Sequence, residues 1–84
     1  MKRIAIVEYY KEYQDKLTKY LRRYGEENGE DFQVSYYQDG IDFVDEYVFQ
    51  YEIILLDIKM KFMDGMDTAR KIREKDGNVL IIFI

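Results

Sequence analysis

Ile53-Ile54-Leu55-Leu56-Asp57 sets four consecutive apolar residues directly against a carboxylate. A strand exposed on one face alternates apolar with polar residues, so an unbroken run of this length suits a parallel strand covered on both faces. Asp57 then stands at the carboxyl end of that strand. In open parallel sheets, ligands bind in the crevice outside those ends, where the strand order reverses, which makes an acid placed there a candidate site residue. Capping of a following helix would use the same residue type.

Nearer the N-terminus, Ile4-Ala5-Ile6-Val7 ending in Glu8 repeats this plan. Beyond these two strands the periodicity changes. Tyr13, Leu17, Tyr20, Leu21 and Tyr24 follow at spacings of four, three, one and three, which trace one face of a helix that Gly25 to Gly29 ends. The intervening Lys16, Lys19, Arg22 and Arg23 are diluted by Glu12, Asp15 and Glu26 into a solvated face. Phe32, Val34 and Tyr36 alternate with Gln33 and Ser35, as in a strand near a sheet edge. After the turn at Asp39-Gly40, Ile41, Val44 and Val48 mark a short second helix. Tyr51 to Leu56 forms the central strand and Lys59 to Gly65 a loop. Met66, Ala69 and Ile72 mark a third helix with Asp64 as its cap. Asp76-Gly77-Asn78 stops that helix before Val79 to Ile84, apolar throughout. Strand and helix alternating three times and closed by a fourth strand predict an α/β fold with a parallel sheet, in one domain over residues 1–84.

Composition narrows the function. With 48% hydrophobic and 36% charged residues, the chain is of the folded globular class rather than the disordered one. At 84 residues it buries only about two thirds of the surface its unfolded form exposes. No run approaches membrane-spanning length, and the apolar stretch after Met1-Lys2-Arg3 is too short for a signal peptide, so a cytoplasmic location is expected. There is no cysteine and no histidine, hence no disulfide, thiolate site or imidazole base, and site chemistry falls to carboxylates. A net charge of −4 gives no reason to expect direct contact with nucleic acid. No glycine-rich phosphate loop is present.

Where the chain reverses direction between the first and third strands, right-handed crossovers place them side by side, and Glu8 and Asp57 then share a crevice. Two carboxylates there repel unless a cation sits between them. Hard oxygen ligands without His or Cys favour Mg²⁺. An Asp so held can act as an in-line nucleophile on a phosphoryl donor and become an aspartyl phosphate.

These residues resemble the receiver domains of two-component response regulators. The likeness is carried by Ile4-Ala5-Ile6-Val7-Glu8, by Ile53 to Asp57, and by Met60 followed by Met63-Asp64-Gly65-Met66. It implies a flavodoxin-like parallel sheet of order 2-1-3-4, an order that belongs to the family rather than to the spacing. It also implies that Asp57 is the phosphoacceptor for a histidine kinase, that Glu8, Asp57 and the backbone carbonyl of Lys59 hold Mg²⁺, and that Gly65 permits the turn into the third helix. The chain would not be an enzyme, beyond accepting phosphate from small donors. Asp57 to Met66, with Thr68 to Arg73 behind, looks most like the branch with LytTR-type DNA-binding output domains.

Several positions depart from the family pattern. Tyr9 and Tyr10 stand where acids are common, which weakens Mg²⁺ binding and removes a helix-capping oxygen, and Lys61 stands where proline is common. Receivers continue past the fourth strand with a hydroxyl residue, a fourth helix, a fifth strand ending in lysine and a fifth helix. The likeness therefore implies a receiver truncated after the fourth strand. Its unpaired edge, Val79 to Ile84, is expected to join two chains as a homodimer. The alternative expectation is an engineered, phosphorylation-incompetent receiver fragment acting as a self-associating scaffold. An independent Mg²⁺-dependent phosphatase would need a general acid two residues after the nucleophile, where this chain has Lys59.

Overall fold

The computed structural model describes all 84 residues. Strands β1 (Lys2–Val7), β2 (Phe32–Tyr37), β3 (Ile53–Leu56) and β4 (Leu80–Phe83) alternate with helices α1 (Lys11–Asn28), α2 (Gly40–Glu46) and α3 (Gly65–Lys75). All neighbouring strands pair parallel, in the order β2-β1-β3-β4. This is the expected flavodoxin-like α/β arrangement. The chain runs from β1 to β2 on one side and returns to β3 on the other, so right-handed crossovers place α1 on one face of the sheet and α2 with α3 on the opposite face. Val7 pairs with Leu56, so the residues that follow them, Glu8 and Asp57, leave the sheet next to each other.

The main core lies on the α2 and α3 face. Ala5, Val7, Ile54 and Leu56 from the sheet pack with Phe43 and Val44 of α2, Tyr47 just beyond it, and Ala69 and Ile72 of α3. Ile4 and Ile6 alternate with these along β1 and are fully buried on the α1 face. Coverage there is incomplete. Within β3, Ile54 and Leu56 are buried whereas Ile53 and Leu55 are only half-buried. The continuous apolar run is thus covered fully on one face, not on both.

Helix α1 departs from its apolar periodicity. Tyr13, Tyr20 and Tyr24 face solvent, Tyr20 at 60% exposure. The side that turns inward holds Gln14 and Gly25, with Leu17, Thr18 and Leu21 half-buried. This inner stripe is rotated from the tyrosine stripe, and its polar and small members conceal it from a hydrophobic pattern. Gly25 does not end the helix. It lies inside it, where a Cβ would come within 2.5 Å of the Glu30 carbonyl oxygen. The helix ends at Gly29, whose φ of 67° is left-handed, the usual role of glycine just past a helix.

Helix α2 is likewise shorter than its pattern. Val48 falls beyond it and is exposed, as is Ile41, while Phe43 and Val44 carry the burial. Tyr51 is buried ahead of β3 and Val79 ahead of β4 rather than within those strands. Side chains fasten this end of the molecule. The Tyr47 hydroxyl donates to Asp76 Oδ2 at 2.7 Å, and Asp76 Oδ1 accepts the N–H groups of Asn78 at 2.9 Å and Val79 at 3.2 Å. The Tyr47 hydrogen bond and those two N–H groups hold the Asp76 carboxyl below its ordinary value, and burial followed by the same bond pushes the Tyr47 phenol up.

Candidate functional site

The backbone ladder continues one residue past the central strands. Glu8 N–H donates to the Tyr37 carbonyl at 2.9 Å, and Asp57 N–H donates to the Val7 carbonyl at 3.0 Å. Both acids are thereby held at the carboxyl edge where the strand order reverses, the place at which open α/β sheets bind ligands. Glu8 is 5% exposed and Asp57 is half-buried. Tyr9 N–H donates to Glu8 Oε2 at 3.2 Å and Lys59 N–H donates to Asp57 Oδ1 at 3.2 Å. A cleft of about 390 Å³ opens over the pair, bordered by Tyr10, Tyr13, Lys16 and Lys59. A larger one of about 690 Å³ lies beside it among Tyr9, Tyr10, Lys59 and Lys61.

Electrostatics set the state of this pair. Burial, then the hydrogen bond and negative charge of Asp57, push the Glu8 carboxyl from 4.5 up to about 7, partly offset by the Tyr9 N–H. Around neutrality the Glu8 carboxyl is therefore still partly protonated. No third Asp, Glu, His or Cys joins them. Tyr9 is exposed and its ring meets that of Tyr10 edge-on at 5.1 Å. Two crowded, hard oxygen donors fit a small divalent cation that replaces the proton and keeps most of its waters, the preference of Mg²⁺.

The raised Glu8 value has a consequence for stability. The unfolded chain gives up this proton near pH 4.5, whereas the folded chain keeps it until about pH 7. The Glu8 contribution to stability therefore falls as pH rises between those values and is level on either side. Urea unfolding midpoints in metal-free buffer at pH 5 and pH 8 are expected to show this drop in the parent chain and to lose most of it in Glu8→Gln. Equal pH dependence in the two chains would contradict it.

The residues expected at the site come together unequally. Glu8 and Asp57 do so directly. Lys59 is exposed, and its backbone rather than its side chain meets Asp57. Gly65 is buried and its N–H donates to the Ile58 carbonyl at 2.8 Å, tying the start of α3 to the segment after Asp57. Asp64 caps α3 as expected, its Oδ1 accepting Asp67 N–H at 2.9 Å. Tyr10 stands at the N-cap of α1 without a side-chain capping bond. A pattern of apolar residues passes over one contributor, Gln14, whose Nε2 donates to the Glu8 carbonyl at 2.7 Å. Nothing in the sequence pattern marks it, because a polar residue on the buried side of a helix shows only once its partner is in place.

Similar proteins share this fold. The family model for the response regulator receiver domain matches residues 4–84. The response regulator TrrA from Thermotoga maritima, in complex with Mg²⁺ and BeF, superposes with a TM-score of 0.84 at 25% identity, over 99% of this chain and 68% of that one. TrrA in complex with the histidine kinase ThkA gives a TM-score of 0.82 at 25% identity, over 99% of this chain and 67% of that one. The non-phosphorylated HemR receiver domain from Leptospira biflexa shares the fold, with a TM-score of 0.81 at 19% identity over 99% and 63% of the two chains. The chain thus spans about two thirds of the length of these structures. No curated protein sequence matches it.

Proposed function

The chain belongs to the response regulator receiver domain family, and on that premise we propose that it accepts a phosphoryl group on Asp57, with Glu8, Asp57 and the Lys59 backbone carbonyl as ligands for Mg²⁺. Members of this family are phosphoacceptors in two-component signalling rather than enzymes in the ordinary sense. The observation that carries the reading is the convergence of Glu8 and Asp57 at the carboxyl edge where the strand order reverses.

In the proposed transfer, one Asp57 carboxylate oxygen attacks phosphorus in line. A new O–P bond forms as the donor's P–N bond, or the P–O bond of an acyl phosphate, breaks, and the leaving group takes the electron pair. Glu8 would release its proton to water on serving as a ligand. Mg²⁺, when bound, offsets the negative charge of the phosphoryl oxygens. The TrrA complex with Mg²⁺ and BeF supports the metal, and its complex with ThkA supports a histidine kinase as donor. Tyr9, in place of a second acid, makes the metal weaker-binding. With a net charge of −4, direct contact with nucleic acid is not part of the proposal. No helix is long and apolar enough to cross a membrane, and the cytoplasm is the proposed location.

The test is intact mass after incubation with Mg²⁺ and a small acyl phosphate. The parent chain is expected to gain one phosphoryl group, and Asp57→Asn or a chelator to abolish the gain. A parent chain that stays unmodified sinks the reading and favours a scaffold without phosphotransfer.

One observation favours self-association of the 84-residue chain beside this activity. Strand β4 is at the sheet edge, with Leu80 at 52% exposure and Ile82, Phe83 and Ile84 also exposed. An apolar edge of this kind invites pairing, in a homodimer through Val79 to Ile84. Light scattering is expected to give the dimer mass for the parent chain and the monomer mass for Ile82→Lys. A monomeric parent would overturn it.

A further inference from the structure

We infer that Gln14 is a positioning residue for Glu8, acting through the peptide plane that joins Glu8 to Tyr9. The inference rests on the proposed reading of Glu8 and Asp57 as the cation-binding pair. Gln14 lies in the first turns of α1 and is only 8% exposed, on the inner stripe with Thr18, Leu21 and Gly25. An amide buried at such a place is costly unless it is hydrogen-bonded. Its Nε2 donates to the Glu8 carbonyl oxygen at 2.7 Å.

That carbonyl shares a peptide group with the Tyr9 N–H, which donates to Glu8 Oε2 at 3.2 Å. A trans peptide is planar, with its C=O and N–H on opposite edges, so fixing the direction of one fixes the other. Gln14 on one side of the plane thereby sets the approach of the Tyr9 N–H to the Glu8 carboxylate on the other side. Beyond the Glu8 N–H bond to the Tyr37 carbonyl and the backbone bonds that open α1 at the Tyr10 carbonyl, local support is thin. The Tyr9 carbonyl accepts from Gln38 Nε2 only at 3.4 Å, and Tyr10, at the N-cap, contributes no side-chain bond. The entry to α1, usually fixed by a capping side chain on the outside, is here fixed from within by Gln14. Outer partners of metal ligands act in this way, orienting the ligand without touching the ion, and their loss typically lowers metal affinity about 10–100-fold.

Two variants test this. Gln14→Met keeps the length and apolar stem and removes the donor, whereas Gln14→Lys restores an N–H donor on a similar stem. In Gln14→Met, the Tyr9 amide proton is expected to move upfield in metal-free NMR spectra. The Mg²⁺ dissociation constant, read from tyrosine fluorescence, is expected to rise about tenfold, and saturating Mg²⁺ to restore most of the Asp57 labelling rate. Gln14→Lys should return both readouts toward the parent. If the Met chain does not unfold cooperatively, Gln14→Asn, whose amide stops one methylene short, should show the same amide shift and loss of affinity. A folded donor-deficient variant that binds Mg²⁺ like the parent overturns the inference, as do Met and Lys variants weakened alike. A parent chain that neither binds Mg²⁺ nor takes a phosphoryl group removes the reading of the site, and the role of Gln14 with it. A parent that does both, beside an unaffected Met variant, removes the role of Gln14 alone.

Discussion

Phe43→Ala should lower the stability of the chain by about 3–5 kcal/mol and move its urea midpoint sharply downward. Phe43 is fully buried and is the hub of the aromatic cluster that joins α2 to the end of the sheet. Its ring lies 4.9 Å from that of Tyr37, 5.5 Å from Tyr47 and 5.9 Å from Tyr51, centre to centre. Truncating a core phenylalanine to alanine costs about 3–5 kcal/mol, and each lost aromatic pair adds to the loss of buried area. A chain this small has a total stability of only about 4–13 kcal/mol, so the loss runs from about a quarter of it to all of it. Urea unfolding followed by circular dichroism is the measurement. A midpoint close to that of the parent would show that the cluster closes over the hole. Phe43→Leu, which keeps much of the volume, is expected to lose far less.

Gly65→Ala should damage stability and the site together, for a steric reason that is local to Asp57. A Cβ on Gly65 would lie 2.7 Å from Ile58 Cα and 2.9 Å from the Asp57 carbonyl carbon, and closer still to the Asp57 carbonyl oxygen. These are backbone atoms. They cannot swing aside as a long side chain can, so either the start of α3 lifts or the segment carrying Asp57 shifts. Overpacking of this kind costs about 1–3 kcal/mol. The larger effect is expected on Asp57, with labelling by an acyl phosphate falling at least tenfold, since a misplacement of about 1 Å can cost on the order of 10²-fold in rate. Gly77→Ala is the control, because a Cβ there meets nothing within 4 Å and should change stability by less than about 0.5 kcal/mol. Equal labelling in the two variants would refute the argument.

Much of the fold could be read because long stretches of this sequence obey one period at a time. The runs before Glu8 and Asp57 named two central strands, and their acids proved to be neighbours across the β1 and β3 pair. Asp64 was recognisable as a cap because its side chain has a short-range task that needs no tertiary context. The misreadings share a cause in α1. Tyrosine counts as apolar in a periodicity argument, yet a ring with a polar tip tolerates solvent, and Tyr13, Tyr20 and Tyr24 are exposed. The true inner stripe includes Gln14 and Gly25, whose burial depends on the Glu8 carbonyl and on the Glu30 backbone and Phe32 ring crossing nearby. Those partners are close only after folding, and no local pattern announces them. The half-open face of β3 was hidden for a related reason, since apolar residues on a strand do not say which helix covers them.

The far end of the sheet gives this protein a foundation. Tyr47 reaches Asp76 across 29 residues of chain and Lys75 Nζ reaches the Val44 carbonyl across 31, at 2.7 and 2.6 Å, and Arg73 spans the turn to the Val79 carbonyl at 2.6 Å. Around Asp57, by contrast, most side-chain bonds join close neighbours, Asp57 with Lys59, Glu8 with Tyr9 and Asp64 with Asp67, while Gln38 Nε2 reaches the Tyr9 carbonyl across 29 residues only at 3.4 Å. Long-range cross-links transmit load between elements, and short-range ones only shape a loop. A change of charge at Asp57 therefore falls on segments that can be redrawn one by one, while the elements that bear them stay moored at the opposite end.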